Sequence, residues 1–132
     1  MVQRTPIDLA TCAGLLDVVS EGVVIFGKDR LIQLANKAFM TITGYEAEDM
    51  GRSLCAIMHG PQTDPAAIAA IDEALDAEAS FVGEILNYRK SGEPFWNNLR
   101  IEPQFDPSGA FKHFVGLSQD ITLRKASEVK AS

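Results

Sequence analysis

The sequence lacks the features that mark several large classes of protein. It has only two cysteines, Cys12 and Cys55, in 132 residues, so a disulfide-rich domain is excluded. No apolar run approaches the ~20 residues of a membrane-spanning helix, and the first residues lack the apolar core of a signal peptide. Acidic residues outnumber basic ones by 18 to 12, and the net charge of −6 argues against nucleic acid or an anionic membrane as a partner. A reducing cytoplasm is therefore the expected location.

Residues that carry enzyme chemistry are also scarce. The chain has two histidines, and no cluster of histidine, cysteine and acidic residues has the spacing of a metal site. Cys55 and His59 lie four positions apart and could share one face of a helix, as in a thiol-dependent enzyme. The sequence offers no third group to orient this pair, and the nearby Leu54, Ile57 and Met58 are apolar. A buried, unreactive cysteine is thus the preferred interpretation, and we expect no enzymatic activity.

The first part of the chain predicts a helix, a hairpin and a second short helix. Residues 7–20 carry apolar side chains at a loosely helical spacing, which indicates an amphipathic helix. Two apolar runs, 21–26 and 31–35, flank a GKDR turn and form the expected hairpin. A two-turn helix follows between Asn36 and Gly44, whose residue types suit the two ends of a helix.

A longer helix is predicted to begin at Pro65, behind an Asp64 cap, and to run to about Glu78. Its apolar residues recur every three or four positions and should form a buried stripe. That stripe consists of Ile68, Ile71 and Leu75. The acidic residues expected on its solvated face are Asp72, Glu73, Asp76 and Glu78.

The segment 81–99 predicts two strands joined by a tight turn at Ser91-Gly92. Because alternate strand residues share a face, a strand that points Ile85 into the core takes Asn87 inward as well. The returning strand takes Asn97 inward in the same way. Two buried amides are costly unless something pairs with them, so they are either satisfied core amides or the polar edge of a ligand site.

The order of elements is two strands, several short helices and three strands, the last over 111–119. This order predicts an α+β fold with a five-stranded antiparallel sheet, short helices on one face and flanking terminal helices. We divide the chain into an N-terminal amphipathic cap helix over 1–19, a folded domain over 20–123, and the start of a C-terminal linker or output helix over 124–132.

Four segments in order, NKAFMTITGY, GPQTDP, LNYRKSGEPFWN and FVGLSQDIT, resemble a known family. Together they look like a PAS domain of the light-oxygen-voltage (LOV) or LOV-like type, over roughly residues 20–125. The resemblance implies the PAS fold and a sensory module that passes the state of its pocket to a downstream effector domain. It also implies a flavin, FMN or riboflavin, and a nearby cysteine that adds to the excited flavin ring under blue light.

The resemblance can be carried over residue by residue. Asn87 and Asn97 match the two amides that LOV domains aim at the polar edge of the flavin. Cys55 matches the photoactive cysteine when counted from Gly60-Pro61, although it lies one residue late when counted from Gly51-Arg52, and it is the candidate photoadduct thiol. The expected flavin-contacting residues are Asn87, Asn97, Cys55, His59, Leu99, Phe114, Gly116 and Ser118.

The sequence also departs from the LOV pattern. Ala56 and Asp72 stand where LOV domains have two arginines that clamp the flavin phosphate, and His59 and Ser118 replace two glutamines. An aspartate at position 72 would repel a phosphate, so a flavin lacking phosphate, a weakly held FMN and no flavin all stay open. Haem is not expected, because the longer helix lacks the histidine with which some PAS domains ligate iron.

The outer face of the predicted sheet is apolar, which is unusual on a soluble monomer. Its residues are Leu86, Tyr88, Trp96, Val115 and Leu117. We expect the N-terminal helix or a second copy of the chain to cover it, which would give a homodimer. The main hypothesis is thus a non-enzymatic sensor module, the alternative a ligand-free PAS dimerisation domain, and a thiol-dependent enzyme is the least favoured.

Overall fold

The computed structural model describes residues 14–49, 51–53 and 57–131. The strands are β1 (Gly22–Phe26), β2 (Ile32–Ala35), β3 (Phe81–Tyr88), β4 (Pro94–Phe105) and β5 (Phe111–Asp120). They form one antiparallel sheet in the order β2-β1-β5-β4-β3. The α-helices are α1 (Lys37–Thr43), α2 (Pro65–Asp76) and α3 (Thr122–Ala131), and Ala47–Asp49 form a 3-10 turn. The predicted α+β fold with a five-stranded antiparallel sheet is confirmed.

Asn36 ties the start of α1 to the strands. Its Oδ1 accepts hydrogen bonds from the backbone N–H of Phe39, at 2.9 Å, and of Val23, at 2.7 Å. The first of these caps the helix, as the sequence predicted. The side-chain amide of Asn36 also donates to the carbonyls of Leu16 and Glu21. Through these contacts the helical turn at 14–17 is held against α1 and β1, and it ends two residues before the predicted end of the cap helix at 19.

Helix α2 supplies one wall of the core. Asp64 caps it by accepting from the backbone N–H of Ala66 at 3.0 Å, and Pro65 occupies the first turn. Ile71 and Leu75 are buried as predicted, whereas Ile68 is only half-buried. The helix ends at Asp76, two residues before the predicted end.

The acidic face of α2 is not simply solvated, which corrects the sequence expectation. Arg30, in the turn between β1 and β2, donates to Asp72 at 2.5 Å and to Asp76 at 3.0 Å. From the same turn, Lys28 pairs with Glu78 at 2.5 Å. Ion pairs therefore join the first hairpin to α2.

Four phenylalanines fill the space between the sheet and the helices. Phe26, Phe39, Phe95 and Phe114 are each at most 1% exposed. The rings of Phe26 and Phe114 are stacked with centroids 5.3 Å apart. Burial of each side chain contributes roughly 2–3 kcal/mol to stability, so these residues hold the inner face of the sheet in place.

The hairpin of β3 and β4 carries the amides of interest. Its loop spans 89–93, closed by a hydrogen bond from the N–H of Arg89 to the carbonyl of Glu93 at 2.9 Å. Gly92 lies in this loop at φ 91°, a left-handed conformation that favours glycine. The connection is thus longer than a two-residue turn at Ser91-Gly92, but the predicted hairpin and its side-chain alternation are observed.

Helix α3 lies against the outer face of the sheet at Trp96. The ammonium group of Lys125 is 4.4 Å from the centroid of the Trp96 ring, a cation–π contact. The backbone N–H of Trp96 donates to Oγ1 of Thr122 at 3.0 Å, and its carbonyl accepts from the N–H of Ile121 at 2.9 Å. The sequence predicted a cover from the N-terminal helix or a second copy, and did not anticipate α3 in this position.

Every helix among the described residues is too short or too polar to span a membrane.

Candidate functional site

A small cavity lies between the inner face of the sheet and α2. Its volume is about 20 Å³, which is room for about one water molecule. Strands β1, β3, β4 and β5, helix α2 and the segment 57–59 contribute side chains to it. The lining residues are Phe26, Met58, His59, Ile71, Leu75, Asn87, Asn97, Leu99, Ile101 and Ser118.

Three lining side chains form a buried polar cluster, Asn87, Asn97 and Ser118, each at most 1% exposed. Nδ2 of Asn97 donates to Oδ1 of Asn87 at 3.0 Å and to Oγ of Ser118 at 3.3 Å. Oδ1 of Asn97 accepts from the backbone N–H of Gln119 at 3.2 Å. Hydrogen bonds in such a low-dielectric interior are strong and fix the orientation of the amides.

The strand register brings this polar cluster together. Ile85 lies opposite Asn97, and Leu99 lies opposite Ser118. Asn87 and Ser118 are therefore diagonal neighbours of Asn97 on the same face of the sheet, within reach of its side chain. Residues from three different strands thus meet only because all three strands pair in this register.

The cluster is satisfied internally, but Asn87 is held more loosely than Asn97. No buried side-chain nitrogen or oxygen in the described residues lacks a hydrogen-bond partner. Among the described residues, however, the amide nitrogen of Asn87 donates only to the carbonyl of Leu86, at 3.4 Å, which is long for such a bond. Because an amide carries two N–H donors, Asn87 retains donor capacity at the cavity.

The rest of the lining is apolar, apart from His59. Phe26, Ile71, Leu75 and Ile101 are buried and belong to strands or helices. Met58 belongs to the short helical segment at 57–58 and is the one unbranched, flexible apolar side chain in the lining. The cavity thus combines an apolar enclosure with one amide and hydroxyl patch, which is typical of a small-molecule site.

Among the described lining residues, His59 is the only one outside the buried class. Burial lowers the pKa of its imidazole below the ordinary histidine value, and the neighbouring Asp72 carboxylate opposes this effect without cancelling it. The imidazole is therefore neutral at pH 7, with one nitrogen able to donate and the other able to accept.

Five of the site residues expected from the sequence line the cavity: Asn87, Asn97, His59, Leu99 and Ser118. Phe114 and Gly116 are buried on the same face of β5 but do not line it. Phe114 stacks on Phe26 instead, and a Cβ on Gly116 would lie 2.9 Å from Cγ1 of Val24, so glycine allows close packing there. Cys55 and Cys12 lie outside the described residues.

Five lining residues were not named as site residues from the sequence: Phe26, Met58, Ile71, Leu75 and Ile101. The helical spacing of Ile71 and Leu75 and the strand alternation of Ile101 placed them in the core. Nothing in these patterns distinguishes the wall of a cavity from ordinary core packing. Among the described residues, no group of three His, Cys, Asp or Glu side chains could hold a metal ion.

Comparisons with known proteins agree with this architecture. A family model described as PAS domain matches residues 20–123. The chain is 47% identical over 95 residues to a blue-light-activated histidine kinase of Brucella anthropi, and 47% identical over 96 residues to one of Brucella ovis. Each match covers 72% of this chain and 19% of the relative, so the chain spans about a fifth of the length of these relatives.

The family match encloses the whole sheet and every residue of the cavity. The relatives named for activation by blue light agree with the LOV-like motifs in the sequence. The chain therefore belongs to the PAS domain family and is of the LOV-like type, as its motifs predicted.

Proposed function

We propose that this chain is the flavin-binding sensor domain of a larger cytoplasmic signalling protein. In this proposal residues 20–123 sense, and α3 leads to an effector of the histidine kinase type. The two Brucella relatives carry that activity in their names, and most of their length lies outside the matched region.

The observation that carries the proposal is the buried polar cluster in an apolar enclosure. A flavin ring system has one edge of carbonyl and ring nitrogen groups, and the rest of its surface is largely apolar. Asn87 and Asn97 offer both amide donors and amide acceptors to such an edge, and Ser118 adds a hydroxyl. The spare donor capacity of Asn87 at the cavity is what the carbonyl groups of such an edge would use.

The donor set fits a flavin, whereas the packed volume is smaller than the ring requires. Sites for molecules of this size enclose roughly 300–1,000 Å³, compared with the cavity of about 20 Å³. Binding therefore requires side chains of the wall to move, and Met58 is the one best able to do so. A bound flavin would supply the absorption of blue light, while the protein orients the ring through Asn87 and Asn97.

Cys55 is proposed as the light-reactive thiol, on the motif spacing given above. The chain contains its own matched control, because Cys12 lies outside the motifs that resemble LOV domains. If Cys55 is the reactive group, Cys55→Ala abolishes reversible bleaching of the flavin under blue light, and Cys12→Ala leaves it intact.

An absorbance spectrum of the purified protein, before and after addition of riboflavin, tests the proposal. We expect a yellow protein, or one that becomes yellow and stays so after removal of free flavin. Reversible bleaching would add light sensing, and yellow protein that does not bleach would indicate a flavin site without photochemistry. A colourless protein that retains no added riboflavin or FMN would contradict the flavin proposal.

A second candidate is a ligand-free interaction domain, which the satisfied amides and the small cavity favour. Its activity would be homodimerisation through the outer sheet face at Leu86, Trp96, Val115 and Leu117, which are half-buried in the single chain. Mass in solution by light scattering tests it. A dimer that Leu117→Lys converts to a monomer supports this candidate, and a wild-type monomer at high concentration contradicts it.

A further inference from the structure

A flavin larger than the cavity must extend toward solvent somewhere along the lining. Nine of the ten lining residues are at most 7% exposed, and His59 is the exception. Of the described lining residues, His59 is therefore the one most exposed to solvent. A flavin side chain, which is longer and more polar than the ring, would leave the cavity there.

The surface next to this exit is acidic. Asp72 follows the lining residue Ile71 on α2, and its carboxylate is close enough to His59 to oppose the burial effect on the pKa of the imidazole. Asp76 lies one turn further along the same helix. Both carboxylates are partly exposed to solvent, so a group that leaves the cavity at His59 would meet their field.

The cation nearest to these carboxylates is already engaged. Arg30 donates to Asp72 at 2.5 Å and to Asp76 at 3.0 Å, with a side chain only 25% exposed. Its backbone adopts φ 69°, an uncommon conformation for a residue other than glycine. One arginine between two aspartates leaves a net charge of −1, and the positive charge of Arg30 is already shared between two carboxylates.

Other charges near the exit do not reverse this sign. His59 is neutral at pH 7 because burial lowers its pKa. Arg52 is in the segment before His59 and is paired with Asp49 at 3.6 Å. Among the described residues, the groups at the exit can thus form hydrogen bonds with a neutral polar side chain of the ligand. Their net negative charge is unfavourable for a phosphate.

We propose that the pocket selects riboflavin, whose side chain ends in neutral hydroxyl groups, over its phosphate ester FMN, and that the Arg30–Asp72–Asp76 cluster sets this selection. The proposal rests on the flavin function proposed above and makes it more specific. In this proposal the carboxylates of Asp72 and Asp76 repel the phosphate of FMN. This role is additional to the ion pairs with Arg30 that join the first hairpin to α2.

Titration of the full chain with riboflavin and with FMN, followed by flavin fluorescence, tests the selection. At low salt we expect riboflavin to bind about tenfold more tightly, since a single unfavourable charge contact near a surface has an effect of this size. Added salt should lower the ratio of the FMN dissociation constant to that of riboflavin. Ions screen the repulsion of the FMN phosphate and so strengthen FMN binding, whereas riboflavin is uncharged and should be unaffected. This salt effect needs no variant and so does not depend on whether a variant folds.

Two variants and a matched control test the role of the cluster. Asp72→Asn should strengthen FMN binding and reduce the ratio to about threefold or less, since it removes a carboxylate and leaves Arg30 with one partner. Arg30→Gln should increase the ratio, because both carboxylates lose their counterion. Glu73→Gln removes the same charge from the exposed part of α2, and should leave the ratio unchanged.

The outcomes separate this proposal from the one on which it rests. Retention of neither flavin would contradict the flavin function, and the selection with it. Binding of FMN as tightly as riboflavin, or more tightly, would overturn the selection and leave the flavin function in place. An equal response to Asp72→Asn and Glu73→Gln would show that overall charge, and not the cluster, governs the ratio, and would also overturn it.

Discussion

The two faces of the sheet meet different demands with neighbouring residues of the same strands. On the inner face, Asn87 and Asn97 are almost completely buried and bond to each other. On the outer face, Leu86 and Trp96, one residue before each of them, are apolar and half-buried. At these two pairs of neighbouring positions, the fully buried inner residue is polar and the half-buried outer residue is apolar.

This arrangement is the reverse of what stability alone would favour. Apolar side chains at the two inner positions would pack without any need for hydrogen bonds. Polar side chains at the two outer positions would cost little stability, because these positions are only half-buried. Under the flavin proposal the inner amides serve ligand recognition, and the outer apolar residues form a surface for another element. Helix α3 already occupies part of that outer surface at Trp96.

Among the substitutions that test the difference between the two faces, we expect the largest loss of stability at Asn97, the inner amide of β4. Asn97→Ala removes two donated bonds and the acceptor for the N–H of Gln119, and leaves polar groups of β3 and β5 without these partners. We expect a loss of about 3 kcal/mol in the free energy of unfolding, measured by urea denaturation.

Asn98 provides the matched control for this variant. It is the next residue of β4, has the same side chain, and is exposed on the opposite face. Asn98→Ala should change the free energy of unfolding by at most about 0.5 kcal/mol. Similar losses for both variants would mean that the polar cluster has no special role in stability.

The next effect concerns the outer face. Trp96→Ala removes the aromatic surface below Lys125, and α3 should then dock more weakly by about 1–2 kcal/mol. Hydrogen exchange should be faster by roughly tenfold or more in the amides of α3 and little changed in β1 and β5. Phe105→Ala, which removes an exposed aromatic residue at the other end of β4, is the control and should leave α3 unchanged. Equal exchange in α3 for both variants would contradict a docking role for Trp96.

Local patterns in the sequence account for most of the fold. The alternation around Asn87 and Asn97, the Asp64-Pro65 helix start and the Asn36 cap each depend on residues close together in the chain, and each agrees with the structure. The ion pairs of Arg30 with Asp72 and Asp76 could not be predicted in this way. They join residues 42 and 46 positions apart, and only the packing of α2 against the first hairpin brings them into contact.

The site was predictable to the extent that it depends on strand phase. Phase alone placed Asn87, Asn97 and Ser118 on one face, and the family motifs suggested that this face holds a ligand. Phase does not tell which residues of the inner face line the cavity and which only pack in the core. Phe114, Gly116 and Ser118 have the same phase on β5, and of these three only Ser118 lines the cavity. The position of α3 was not predictable either, since its contacts with Trp96 and Glu84 join distant parts of the chain.

The smallest effect is expected from Glu84, which binds α3 at the edge of the outer face. Hydrogen bonds from Arg124, and then from Lys125, lower the pKa of the Glu84 carboxyl below its ordinary value. A carboxyl with a lowered pKa stabilises the folded state above its unfolded pKa, and this contribution is lost as the pH falls through the lowered value. The docking of α3 should therefore weaken in acid, and in Glu84→Gln it should be weaker already at neutral pH.

Asp120, at the start of α3, titrates in the same direction and must be separated from Glu84. Burial tends to raise the pKa of Asp120, but hydrogen bonds from Thr122 and Arg89 outweigh it and lower the pKa. The difference in α3 hydrogen exchange between wild type and Glu84→Gln isolates Glu84, because Asp120 is common to both. We expect exchange about two- to threefold faster in Glu84→Gln at neutral pH, as for an exposed ion pair, and no difference once the pH is low enough to protonate Glu84. Glu102→Gln is the control, since Glu102 bonds to Ser80 and Arg100 and not to α3. A difference that persists in acid would mean that Glu84 acts on α3 through packing and not through its charge.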